Sequence, residues 1–193
     1  GLRMSAVTWP TGLVPRAASL RLSTVQRVHA SPFGGSEQTV DLLNDRWIMN
    51  VTLSARAGFD KGAQIEAFIA AMRGQTNYVA LWHFARPNVR GTLASATAAS
   101  AAQGASAVVL TGSGTLKAGD MIGVSGLLLQ VASDVTVGTS TSVSIVNRLR
   151  TAVSGAVTLT KPTANFRLTG SPSVAYVPGM SEAVSLDFAE VVA

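Results

Sequence analysis

The nearest approach to a phosphate-binding loop in this chain is Gly114-Thr-Leu-Lys-Ala-Gly119-Asp120. Its glycines have the Gly-x4-Gly spacing whose backbone N–H groups cradle phosphates, but aspartate stands where a lysine must reach the β- and γ-phosphates. A carboxylate there repels phosphate, so the stretch reads as a turn into a strand starting near Met121. Gly112-Ser-Gly114 fails as a dinucleotide fingerprint, because position 117 is lysine and no βαβ unit surrounds it. For nucleophilic catalysis, Gly123-Val-Ser125-Gly126 lacks the closing spacing of a Gly-x-Ser-x-Gly elbow and reads as a hairpin turn.

Acid–base and metal chemistry have little to work with. His83 lies in an aromatic run where a structural histidine is the usual case, and His29 has no better context. Asp41 and Asp45 flank a strand junction without a cleft-forming pattern, which favours solvated carboxylates or partners for Arg46 over an acid/base pair. With no cysteine and two histidines, a structural zinc site lacks ligands, and no cofactor is expected. Asn50-Val51-Thr52 matches a glycosylation triplet but falls inside a strand with no secretory signal before it. Trp9, Trp47 and Trp82 could stack on sugars, although Trp47 and Trp82 sit at alternating positions that read as core. The expectation is that the chain is not an enzyme.

What remains are binding surfaces. Charged residues make up 13% of the sequence, yet the net charge is +5 and most of the positive charge is arginine. A weakly charged surface with dispersed arginines fits contact with other protein, whereas nucleic-acid binders concentrate basic residues on one face. Arg21, Arg27 and Arg46 are the candidate protein-interface residues, with Arg21, Arg27 and His29 on one side of a strand able to face an acidic partner. No apolar run approaches the roughly 20 residues needed to span a bilayer, so a soluble protein without a membrane partner is expected.

The elements that would position these residues are mostly strands. Residues 20–28, LRLSTVQRV, alternate with Leu20, Leu22 and Val28 on one side; SPFGGSEQ is a turn; EQTVDL reads as a short strand. RWIMNVTL is the strongest strand, with Trp47, Met49, Val51 and Leu53 on one face, and it should pair antiparallel with the run before it. One helix is expected over about 61–73, capped by Asp60 and carrying Ile65, Phe68, Ile69 and Met72 on one face. Gly74 is placed for a left-handed C-cap, followed by a strand with Tyr78, Trp82 and Phe84 on one side.

After Arg90 the sequence turns small and weakly charged. TLASATAASAAQGASA reads as a loose linker, and the short runs after it, separated by Gly- and Ser-containing turns, read as a small sandwich or barrel. SPSVAYV and EAVSLDFAEVV are expected to rejoin the first sheet. The expected fold is therefore mainly β: a sandwich or barrel-like core domain over 1–91 plus 163–193 with one helix, carrying an inserted all-β module over 92–162.

Two stretches carry a resemblance. QTVDL, then RWIMNVTLSA, then IEAFIAAMRGQTNYV resembles the core of distal-tail and tail-tip proteins of tailed bacteriophages. LKAGDMIGVSGLLLQVASDV and VSIVNRLRTAVSGAVTLTKPTANFRLTG resemble a β module found in many such proteins, with Asn147-Arg148 where that module carries a proline. The resemblance covers most of residues 30–170. It implies a structural virion protein of the tail, assembled in the host cytoplasm as a homo-oligomeric ring, hexameric by family expectation, between the tail tube protein and the tip or hub proteins. It implies no catalytic residues. Two alternatives are a host-surface carbohydrate-binding module and a head-to-tail connector. The first is weakened because residues 92–162 contain no Phe, Trp or Tyr, and the second because the arginines are scattered.

Overall fold

The computed structural model describes residues 3–35 and 37–191, and the backbone alone at 37, 41 and 42. The first part of the chain forms β1 (Ala6–Val7), β2 (Ala17–Ala30), β3 (Glu37–Leu53), β4 (Arg56–Ala57), helix α1 (Asp60–Met72) and β5 (Tyr78–Leu81). The middle part forms β6 (Ala96–Ala101), β7 (Ala107–Gly112), β8 (Gly114–Leu116), β9 (Met121–Val124), β10 (Leu127–Gln130), β11 (Val135–Val137), β12 (Thr141–Ser144) and β13 (Val153–Thr158). The chain ends with β14 (Ala164–Thr169), β15 (Tyr176–Val177), β16 (Met180–Ser181) and β17 (Val184–Glu190). The protein is mainly β with one helix.

The first sheet has the order β1-β5-β14-β17-β3-β2, antiparallel except for the β1–β5 pair. Alternation decides its buried face: Trp47, Met49, Val51 and Leu53 of β3 meet Val184, Leu186 and Phe188 of β17. Helix α1 contributes Ile65, Phe68 and Met72 to the same cluster. At roughly 1.5–3 kcal/mol per large apolar side chain, that helical stripe supplies several kcal/mol against the entropy of ordering the helix.

Several boundaries differ from the sequence expectations, each for a local reason. EQTVDL and RWIMNVTL are one strand, β3, because the Leu43-Asn44-Asp45 interruption between them stays extended and is absorbed as a register irregularity against β2 at Ser23/Val25. Beyond that irregularity the hairpin leaves the sheet, so Val28, expected inside, is exposed. The helix starts at Asp60 after Phe59, without a side-chain cap, and Asp60 instead lies in the first turn, where the helix dipole favours negative charge. The left-handed C-cap is Arg73 (φ 48°, ψ 54°), with Gly74 following at φ 65°. Strand β5 ends before Trp82, and the SPSVAYV segment supplies only β15 to a small β15-β16-β4 sheet.

The second sheet has the order β10-β9-β13-β6-β7-β12, beside a β8–β11 ribbon, around a core that includes Leu110, Leu116, Ile122, Leu129, Val143 and Leu149. The alanine-rich stretch expected to be a loose linker is strand β6, held between β13 and β7. Small side chains there suit a strand packed between neighbours, and Ala98 is buried.

The chain crosses into this unit through a tight knot. Asp120, nearly inaccessible, accepts from the N–H groups of Arg90 (3.0 Å), Gly91 (3.3 Å) and Lys117 (2.8 Å), and from Arg90 Nε (3.4 Å). The aspartate that disqualifies the stretch as a phosphate loop is thus the carboxylate that gathers its turn. At Gly91 a Cβ would lie 1.8 Å from Thr115 O and 2.9 Å from Leu116 Cα. Gly91→Ala is expected to cost on the order of 3 kcal/mol by overpacking backbone against backbone. Urea denaturation should show that loss, with Gly34→Ala, where nothing lies within 4 Å, close to neutral.

Candidate interaction surfaces

Three places combine unusual chemistry with position: the seam between the two β units, the projecting β2–β3 hairpin, and an aromatic cavity beside β2.

The seam is polar and buried. Trp47 donates through Nε1 to Leu128 O of β10 (2.9 Å), and its main-chain N–H donates to Glu190 Oε2 (2.9 Å). Glu190 Oε1 accepts from Arg150 Nη2 at 2.6 Å, with both side chains largely buried. Asn147 bridges the module side, donating to Leu128 O (2.9 Å) and accepting from the Gln130 N–H (3.1 Å). Asp45 Oδ2 accepts from the Arg148 N–H (3.4 Å), while Asp45 Oδ1 is buried without a hydrogen-bond partner. Met121 and Leu128 of the second unit pack into the first unit's core, so apolar contact reinforces the polar bonds. Burial pushes the Glu190 carboxyl above its ordinary pKa, and the Trp47 N–H and Arg150 guanidinium only partly oppose this.

The hairpin is the largest exposed feature. From Thr24 to Ala30 every residue of β2 is exposed, including Val25 and Val28, and Val40 is exposed on the facing strand. Phe33, at the tip, is 98% exposed. The candidate interface arginines do not form one patch. Arg21, opposite Ile48, and Arg46, opposite Ser23, lie where the hairpin is still part of the sheet, whereas Arg27, opposite Val40, lies beyond the register irregularity with His29. Sequence periodicity had set Arg21, Arg27 and His29 on a continuous strand; the irregularity that separates them has no signal stronger than the Leu43-Asn44-Asp45 interruption.

A cavity of about 550 Å³ opens beside the start of β2, with Trp9, Leu13, Val14, Trp82 and Phe84 in its wall and Arg16 and Lys161 at its polar side; among the described residues no carboxylate lines it. Trp9 is fixed by its Nε1 bond to Leu13 O (2.9 Å) and by edge contact with Phe68 (5.1 Å). Trp82 lies 4.7 Å from Phe84, and Lys161 Nζ sits 5.0 Å from the Trp82 ring centre. Lys161 adopts φ 45°, and its N–H donates to Pro87 O (2.6 Å).

The residues weighed for chemistry fall elsewhere. Burial, then the charge of Arg86, lowers the His83 pKa, so the ring is neutral at pH 7, and its Nδ1 is buried without a partner. The Asp41 side chain lies outside the described residues, so its relation to Asp45 is not described. Ser125 and Gly126, both at positive φ, form the two-residue turn between β9 and β10, with Ser125 Oγ bonded to Ser154. Asn50 donates to Asp187 Oδ1 at 2.6 Å across the sheet. Among the described residues, no cluster of three or more His, Asp or Glu could hold a metal, and no helix is long and apolar enough to cross a membrane. Neither a known protein family nor a characterised protein matches the sequence.

The seam carries a pH signature. A raised pKa means the folded state holds the Glu190 proton more tightly than the unfolded chain does, so Glu190 costs nothing in this respect below about 4.5, and its penalty grows as pH rises through the shifted value. Glu190→Gln cannot ionise. Measured by urea denaturation from pH 4 to 8, the stability difference should drift in favour of the variant as pH climbs. Drift toward the wild type would show that pairing with Arg150 outweighs burial.

Proposed function

We propose that this protein is a structural component of a bacteriophage tail, of the distal-tail or tail-tip kind, which assembles as a ring between the tail tube and the tip or baseplate. The observation that carries the reading is the β2–β3 hairpin: a long two-stranded arm, exposed on all its described residues past the sheet, bearing Val25, Val28, Phe33 and Val40 with nothing among the described residues to cover them. Such an arm gains stability only by meeting another molecule. Its strand β2 is also the edge of the first sheet, with a row of backbone groups open to a further strand. The resemblance of residues 38–79 and 116–170 to tail components supports the same reading.

The mechanism is geometric. Subunits that join through two different patches meet head to tail and close into a ring when the rotation between them permits. The seam through Trp47 and Glu190 holds the second β unit on the first, so the ring would present that unit to neighbouring tube and tip proteins in a fixed orientation. Arg21 and Arg46 on the sheet and Arg27 on the arm would meet acidic groups of those partners. No observation favours glycan recognition by residues 92–162, which contain no aromatic side chain.

Light scattering or native mass spectrometry over a range of concentrations tests the reading. A ring of fixed stoichiometry, six chains by family expectation, is the expected result, either alone or on addition of the tube protein. A strict monomer under both conditions would contradict it.

A further inference from the structure

The exposed hairpin tip and the aromatic cavity lie at opposite ends of the same strand. Arg16, Ala17 and Ala18 line the cavity where β2 begins, and Phe33 follows where β2 ends, 14 residues on. At about 3.3 Å per residue the strand separates them by roughly 45 Å, so the tip cannot fold back into its own cavity. A second copy of the chain has no such restriction.

We infer that the Pro32-Phe33 tip of one subunit inserts into the Trp9/Trp82 cavity of the next. The two surfaces complement each other in three respects. Phe33 is almost fully exposed, and an aromatic ring of this size removes about 150–250 Å² from water when buried. The cavity, at about 550 Å³, is of the size that encloses such a group, and its wall of Trp9, Leu13, Trp82 and Phe84 is apolar and aromatic. Its charged groups, Arg16 and Lys161, are cationic, no salt bridge pairs either one among the described residues, and Glu37 is the only charged residue in the tip sequence from 31 to 38.

Lys161 is the adjustable part. It lies over Trp82 in a left-handed backbone conformation that a lysine seldom adopts, tied to Pro87 O. Swinging its ammonium aside would uncover the indole for the Phe33 ring. Because donor and acceptor are different patches, each subunit offers one of each, and the contact propagates from copy to copy.

The inference rests on the self-assembly part of the proposed function, and the test separates the two. Phe33→Asp changes a fully exposed tip residue, and Val14→Asp changes a cavity residue that is itself 69% exposed, so neither should disturb folding. In native mass spectrometry and sedimentation velocity the wild type should assemble, while each variant alone should be monomeric at concentrations at least tenfold above those at which the wild type assembles. An equimolar mixture of the two variants should yield a species of two chains and nothing larger, because one intact tip meets one intact cavity and both remaining patches are blocked. A wild type that stays monomeric alone would overturn this inference, and one that stays monomeric with the tube protein as well would also overturn the ring. A wild type that assembles together with either variant assembling equally well, or a mixture that stays monomeric, would overturn the tip-in-cavity contact and leave the ring standing.

Discussion

The structure depends on how one tryptophan is satisfied. Trp47 lies in the middle of the strongest strand of the first sheet, where its indole is buried, yet its N–H finds an acceptor only in the second β unit, at Leu128 O. A buried indole N–H left without a partner would cost roughly 1–3 kcal/mol, so the first core is complete only with the second unit seated on it. Glu190 receives the Trp47 main-chain N–H and the Arg150 side chain together, which places a carboxylate from the last strand between the two units. Breaking that pair leaves a buried charge behind, a larger penalty than the pair's own contribution to stability.

That seam gives the two β units one mechanical identity. Met121 and Leu128 belong to the first hydrophobic cluster although they lie in the second unit's strands, and the Asp120 knot fixes the crossing where the chain leaves the first sheet. A part proposed to act by geometry needs this stiffness, because positional error at the junction would be multiplied along any assembly. The unpacked part lies elsewhere, in the hairpin beyond the register irregularity, whose described side chains past the sheet are exposed. The division between a stiff body and an unpartnered arm is what a head-to-tail building block requires.

Much of the body was legible from periodicity. The Trp47-Met49-Val51-Leu53 face, the single helix with Ile65, Phe68 and Met72 inward, the Ser125-Gly126 hairpin and the Val184-Leu186-Phe188 strand all follow from local alternation or turn chemistry, and the structure has them there. The misses are non-local. Nothing local distinguishes the alanine-rich stretch as strand β6, because its partners β7 and β13 supply the bonds that hold it extended. Val28 alternates correctly yet is exposed, because register against β3 and not its own pattern decides where the sheet ends. The cavity was equally invisible, since Trp9, Trp82 and Lys161 are brought together by separate segments and each has an ordinary local context. The sequence shows Asp120 in a turn, but its role as a four-donor acceptor depends on residues 90 and 91 passing beside it, which no local pattern reveals.

We propose that this two-unit body with one projecting arm is a ring subunit. Electron microscopy of the purified protein at assembling concentration, with tube protein added if needed, addresses it most directly. Class averages should show closed rings of uniform diameter with a protruding second β unit on each subunit. Open filaments of variable length, or particles no larger than one chain, would contradict the account.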